Sequence, residues 1–486
     1  MVFNSVEFII FFVAVFSIYF FFLKEKTKLQ NILLLVASYV FYAWANWKIL
    51  LLLILSTLVF YGVGLAIFKT DNQKRKSLFT ITGIIFGVAV LLYFKYMNFF
   101  IESFQSLLEN IGLITNMYSL QILIPIGISF YTFRLLSYVI DIQRGKYEPE
   151  KDLVAFATYV AFFPCILSGP IDRPNTLIPQ LKEKRCFDSF LAVDGLRQIL
   201  WGAFKKMVVA DNIAPIVNQI FDSQDTMPAN RLLLGAVLYT FQMYGDFSGY
   251  TDMATGIAKL LGFRVTKNFN FPLFAQNISD FWRRWHISLT SWLTDYIFMP
   301  LNVKWRNWGN WGMILAIIIN FVICGLWHGA NWTFVLWGFY HGLLFIPLIL
   351  SGAMFKKSKI AINSWGLPTP QVLGKMALTF ILVMLGLIIF RSESISHAFS
   401  YISRLFSTSL FSLNIGEYDA GRIKVLLSFI MILVLICIEW MGRSGEHALS
   451  GLSIKHKWIR YLLYYFILFC VLVYKGTEQQ FIYFQF

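Results

Sequence analysis

The chain has 486 residues, of which 58 % are hydrophobic and 14 % charged, and its mean hydropathy is +0.64. Soluble domains carry about a quarter charged residues, so this composition cannot cover a surface with polar groups and lipid is the solvent it suits. The net charge of +15 is spread over short loops between apolar runs, which is the lysine and arginine excess of cytoplasmic membrane loops and not a nucleic-acid footprint. Cys165, Cys186, Cys324, Cys437 and Cys470 show no paired or metal-ligand spacing, so neither a disulfide framework nor a metal site is expected.

Apolar runs long enough to span a bilayer fall at 6–23, 30–45, 49–68, 78–97, 120–140, 153–168, 231–245, 311–327, 331–350, 374–390, 423–440 and 458–474. The first has no basic leader and no cleavage site, so it reads as a retained span. Lys24 to Lys28 and Lys69 to Lys76 share a side if 30–45 and 49–68 form a hairpin. That side is cytoplasmic by the positive-inside rule, which puts the N-terminus outside. Basic residues flank 153–168 on both sides, and "FFPCILSGP" carries two prolines and a glycine that would break a helix. A re-entrant or broken segment is expected there, tolerated where protein or water covers its backbone. Residues 189–221 have an apolar helical stripe broken by Asp194, Arg197, Lys205 and Lys206, and read as an interfacial helix. In 280–301, Phe281, Trp285, Leu289, Trp292 and Tyr296 form one stripe, with Arg283, Arg284 and Asp295 elsewhere. No repeat or soluble domain is visible, so 1–486 is expected to be one all-α polytopic membrane domain.

The densest polar cluster runs from "MYGDFSGYTDMATG" (243–256) through His286 to His328. Asp246, Ser248, Thr251 and Asp252 continue an apolar run, where an acidic side chain must face a cavity or a partner. They serve equally as a helix-to-helix hydrogen-bond site among glycines. His328, closing an apolar run at "LWHGANW", can accept and return a proton at neutral pH, or it can bond a carbonyl at a helix break. His341 lies thirteen residues on, about 20 Å along a continuous helix, and reads as structural unless the chain turns at "GANW". His286 follows Arg283 and Arg284; it is either an interfacial anchor or part of a site for an anionic substrate. Nucleophile-elbow, phosphate-loop and zinc-helix signatures are absent from the sequence. A proton-coupled carrier using the buried Asp and His residues stays open, as does a scaffold that only anchors another enzyme.

Taken together, "GPIDRP" (169–174), "YGDFSGYTDMATGIAKLLGF" (244–263), "DFWRRWHISLTSWLTDYIFMPL" (280–301) and "GLWHGANWTFVLWGFYHG" (325–342) resemble the membrane-bound O-acyltransferase superfamily, in its bacterial alginate O-acetylation branch. The opening "FNSVEFIIFF" and closing "FIYFQF" are similar to that branch too. The resemblance implies a ring of about 11–13 transmembrane helices around re-entrant segments and a central tunnel. It places the family's catalytic histidine on His328 and the second polar position on His286. It implies transfer of an acetyl group from a cytoplasmic thioester, acetyl-CoA, to an extracytoplasmic polysaccharide of alginate type. Peptidoglycan or another surface glycan is the alternative acceptor. A periplasmic transferase of the SGNH type, bacterial inner-membrane location and no bound cofactor belong to the same expectation. Asn331, Trp327 and Trp332 become oxyanion donors, Asp246, Ser248 and Asp252 tunnel groups, and Arg283, Arg284, Lys205 and Lys206 contacts for the donor's phosphates.

Overall fold

Apolar runs closed by short polar caps become helices, except where proline and glycine break them. The computed structural model describes every residue except 45, 114–119, 412–420, 453, 455 and 483–486. Most of the closing "FIYFQF" therefore lies outside the described residues. Among the described residues the only β pairing is one antiparallel bridge, Ile362 to Pro368. The chain divides into two compact units, residues 1–196 with 254–266, and residues 197–253 with 267–486.

In the first unit, α1 (Val6–Ser17) starts where Ser5 accepts the Phe8 N–H. α2 (Thr27–Ala43) and α3 (Trp47–Lys69) follow. Asn46 caps α3, and Asn72 caps α4 (Gln73–Leu91) by accepting from Lys74 and Arg75, so orphan amides are satisfied by neighbouring side chains. α5 (Ile128–Gln143) begins eight residues into the expected 120–140 span, after Pro125 and a left-handed Gly127 at φ 77°. Almost every residue of α5 is buried, which makes it a core helix.

α6 (Leu153–Ala161) stops short, and the chain turns through "FFPCILSGP". The break falls where the prolines and glycine require it. Its freed carbonyls are met by one side chain: Arg134 on α5, fully buried, donates to the carbonyls of Val160 (3.3 Å), Cys165 (3.1 Å) and Pro170 (2.9 Å). Non-helical backbone survives away from water only when protein satisfies it in this way.

The chain passes into the second unit along α7 (Ser189–Ala203). A π-helical turn at Phe204–Ala210 then leads into α8 (Asp211–Asp222). α9 (Ala229–Leu260) is a 32-residue helix that absorbs the expected 231–245 span. α10 (Ile278–Trp282) and α11 (Ile287–Leu293) are separated by a tight turn. α12 (Asn310–His328), α13 (Trp332–Leu344), α14 (Pro370–Arg391), α15 (Gly421–Gly442) and α16 (Lys457–Val473) complete it.

Among the described residues, six helices are long and apolar enough to cross a membrane: Trp47–Lys69, Gln73–Asn110, Asn310–His328, Trp332–Leu350, Pro370–Arg391 and Ile423–Gly442, with Val6–Phe22 shorter. The remaining expected spans fall on shorter helices, such as α2 and α16, or on helices carrying charge, such as α9. The protein is therefore an all-helical, multi-pass membrane protein.

Candidate functional site

α12 and α13 form an antiparallel hairpin that turns at Gly329–Asn331. A Cβ on Gly325 would collide with the Phe334 carbonyl, and one on Gly338 with the Phe321 carbonyl, so small residues let the two backbones touch. The turn reverses the separation expected from sequence: His341 comes back alongside the C-terminal half of α12. His328, the last residue of α12, is 3 % exposed. Its ring meets Trp327 (5.0 Å), Trp337 (5.0 Å) and Phe390 of α14 (5.2 Å), all near perpendicular. A cavity of about 20 Å³ lies between His328, His341, Trp282, Trp285, Trp337 and Phe390. It has room for about one water molecule. His341 accepts the Trp282 indole N–H through Nδ1 (3.3 Å). A second cavity, also about 20 Å³, shares the walls Phe281, Trp285, Val383 and Leu387 and extends to Tyr244 and Thr379.

His286 ends the tight turn before α11 and is wholly buried. Its backbone is left-handed, at φ 45° and ψ 52°, which costs on the order of 1–3 kcal/mol for a residue with a Cβ. Asn268 holds it there. The Asn268 Oδ1 accepts from Ser288 N–H (3.2 Å) and Ser288 O–H (2.9 Å), and lies 3.0 Å from His286 Nδ1. Because that oxygen can only accept, Nδ1 carries the proton and Nε2 the lone pair. Burial pushes the imidazole down to about 3, so the ring is neutral at physiological pH. It sits edge-on to Phe247 (4.7 Å) and to Trp327 (5.6 Å). The two histidines thus flank one indole.

Of the charged candidates, the two lysines pair with the two aspartates. Lys205 binds Asp252 (2.6 Å) and lies 4.0 Å from Glu439 of α15. Lys206 binds Asp246 (2.6 Å) and Asp211 (2.8 Å). Gln198 donates to Asp252 (2.8 Å), and Tyr244 to Glu439 (2.6 Å). Adjacent lysines point inward together where the helix widens into its π turn. Ser248 bonds back to the Tyr244 carbonyl (2.6 Å). Arg284 pairs with Asp280 (2.9 Å), whereas Arg283 is exposed and donates to the Lys356 carbonyl (2.8 Å). Asn331 is the N-cap of α13: its oxygen accepts the Thr333 N–H (3.0 Å) and its amide donates to the Glu393 carbonyl (3.1 Å). Trp332 is 54 % exposed, while Trp327 is buried between the histidines.

His328, His286 and Trp327 are therefore brought together. Lys205, Lys206, Asp246 and Asp252 form a separate polar core, and Arg283, Asn331 and Trp332 stand apart. Trp337, Asn268 and Glu439 were not singled out from sequence. Glu439 had a signal, a lone acid in an apolar run; Asn268, in an ordinary polar loop, had none.

Apolar helices of spanning length, closed around buried imidazoles, define a multi-pass membrane protein with its polar chemistry held inside. Residues 150–389 match the membrane-bound O-acyltransferase family. The chain is 36 % identical over 450 residues to the probable alginate O-acetylase AlgI of Pseudomonas aeruginosa, covering 91 % of this chain and 81 % of that one. It is 31 % identical over 436 residues to the peptidoglycan O-acetyltransferase of Helicobacter pylori, covering 82 % and 78 %. It is 28 % identical over 285 residues to the teichoic acid D-alanyltransferase of Bacillus subtilis, covering 56 % and 70 %. The chain belongs to the membrane-bound O-acyltransferase family and is an O-acyltransferase.

Proposed function

We propose that this protein, in the bacterial inner membrane with its N-terminus outside, moves an acetyl group from a cytoplasmic thioester, acetyl-CoA, towards an extracytoplasmic polysaccharide of alginate type. A periplasmic transferase of the SGNH type is the immediate or auxiliary acceptor. The relatives named for alginate and peptidoglycan O-acetylation support acetyl as the acyl group. The observation that carries the site is His328, buried against a cavity of about 20 Å³ at the end of an apolar helix. An imidazole held there is removed from bulk water yet able to take a proton.

In the proposed step, His328 removes the proton of the acceptor hydroxyl as its oxygen attacks the thioester carbonyl. The carbon–sulfur bond then breaks, the ester forms, and the proton passes to the departing thiolate. General-base help of this kind supplies about 10²–10⁴-fold. His286, neutral and oriented by Asn268, stands on the far side of Trp327 and holds that indole beside His328. Trp327, between the two rings, is the candidate donor to the developing oxyanion. Phe281 and Trp285 line both small cavities and would bound the space that the acyl group enters.

Replacing His328 with alanine is expected to remove acetyl transfer by about 10²–10⁴-fold at unchanged membrane abundance. It is measured as extracellular O-acetyl groups and as thioester consumption by purified protein. Full activity in that variant would take His328 out of the reaction. A carrier, by contrast, would release no free CoA from acetyl-CoA.

A further inference from the structure

The segment Tyr474–Ile482 is gripped along its main chain by α8, α9 and the π turn. Asn212 donates its amide to the Tyr474 carbonyl (2.9 Å), and the Gly476 N–H donates to the Met207 carbonyl (2.8 Å). Lys206 donates to the Gln479 carbonyl (3.0 Å), and Asp246 accepts the Ile482 N–H (2.8 Å). Gly476 is needed for the approach, since a Cβ there would lie 2.5 Å from the Asp211 carbonyl carbon. Lys206, buried and paired to two carboxylates, thus holds at Gln479 a polar-looking stretch, "GTEQQ" (476–480), whose own sequence offers little apolar surface, and one of those carboxylates, Asp246, holds Ile482 just beyond it.

The end of this segment reaches towards the histidines. Phe481 is 4 % exposed and lies 4.7 Å from the Tyr250 ring and 6.2 Å from Phe247. Phe247 is the ring edge-on to His286, His286 meets Trp327, and Trp327 meets His328. We propose that Tyr474–Ile482 is a strap that positions the histidine pair. Asp246 anchors the strap at Ile482, Phe481 seats Phe247, and Phe247 holds the imidazole of His286 in its strained left-handed turn. Asp246 and Phe481 are positioning residues, and neither touches the acyl group. The inference rests on the proposed use of His328 and His286.

The test uses the full chain. Ile482→Pro deletes the main-chain N–H that Asp246 accepts; Phe481→Ala removes the ring. Each is expected to lower kcat for acetyl transfer by about tenfold or more, the scale of a small misplacement acting at a distance. KM for acetyl-CoA stays at the parental value; Phe481→Ala empties a buried site and lowers the melting temperature in detergent, whereas Phe481→Leu keeps the melting temperature near parental and still loses part of kcat. Parental kcat in both variants overturns the strap. A fall in kcat that only tracks lost melting temperature, with Phe481→Leu at parental kcat, also overturns it, because the segment would then be holding the fold alone. A raised KM at parental kcat overturns it too, by assigning the segment to donor binding. If His328→Ala is inactive and the strap variants are not, the strap alone fails; if His328→Ala is active, the site reading fails with it.

Discussion

His286 combines three costs: full burial, a polar ring and a left-handed backbone. Such strain persists where surroundings over-determine it, here through Asn268 and two aromatic rings. The imidazole has a folded pKa of about 3 against an unfolded value near 6.5, so between these values the unfolded chain binds more protons. Stability therefore rises with pH across that window. It is complete above about pH 6.5 and falls below it by up to about 1.4 kcal/mol per pH unit. Thermal melts in detergent from pH 7.5 to 5 are expected to show this loss, and His286→Gln to flatten it. At the same scale, Glu439→Ala removes the acceptor of Tyr244 and one of the two carboxylates beside Lys205. Breaking a buried network of this sort costs about 3–5 kcal/mol, read as a lowered melting temperature, with Glu439→Gln milder. His328 was legible from sequence because an ionisable group at the end of an apolar run is rare. Asn268 was not legible, since what makes it matter is an oxygen placed 3.0 Å from a ring eighteen positions away.

At the scale of elements, two devices shape the molecule. The broken segment after α6 depends on Arg134, whose guanidinium serves three carbonyls at once. Arg134→Met would leave buried carbonyls unmet, at about 1–3 kcal/mol for each group so stranded. Reduced membrane abundance and faster proteolysis are the expected readouts. The α12–α13 hairpin depends on backbone contact at Gly325 and Gly338. Gly338→Val is expected to splay the pair, part His328 from Trp337, and abolish acetyl transfer at reduced but measurable abundance. The break at "FFPCILSGP" could be read directly, because proline and glycine act locally. The stripe from Phe281 to Tyr296 was legible as a buried face, and all five residues are buried. Its interruption at His286 was not, since no glycine or proline announces the turn.

At the scale of the whole molecule, lysines 205 and 206 show how the same residues change meaning with their partners. As free cations they would suit a phosphate; paired to Asp252, Glu439, Asp246 and Asp211 they form a polar core inside an apolar protein. Because both are buried and paired, Lys205→Met together with Asp252→Leu is expected to keep membrane abundance near parental. Lys205→Met alone should lower it, since a buried carboxylate left with less compensation is costly.

Composition alone made this a membrane protein, and local pattern alone located its apolar helices, its broken segment and the histidine that closes α12. These properties depend on hydropathy and backbone chemistry within a few residues, and both are written along the chain. Only the tertiary structure turned His341 back to the cavity of His328, paired the lysines with the aspartates, and laid the last described residues beside Asp246. Each of those contacts joins positions that are distant in sequence, where the partner of a charge or a ring is chosen by how helices cross and no local pattern records it.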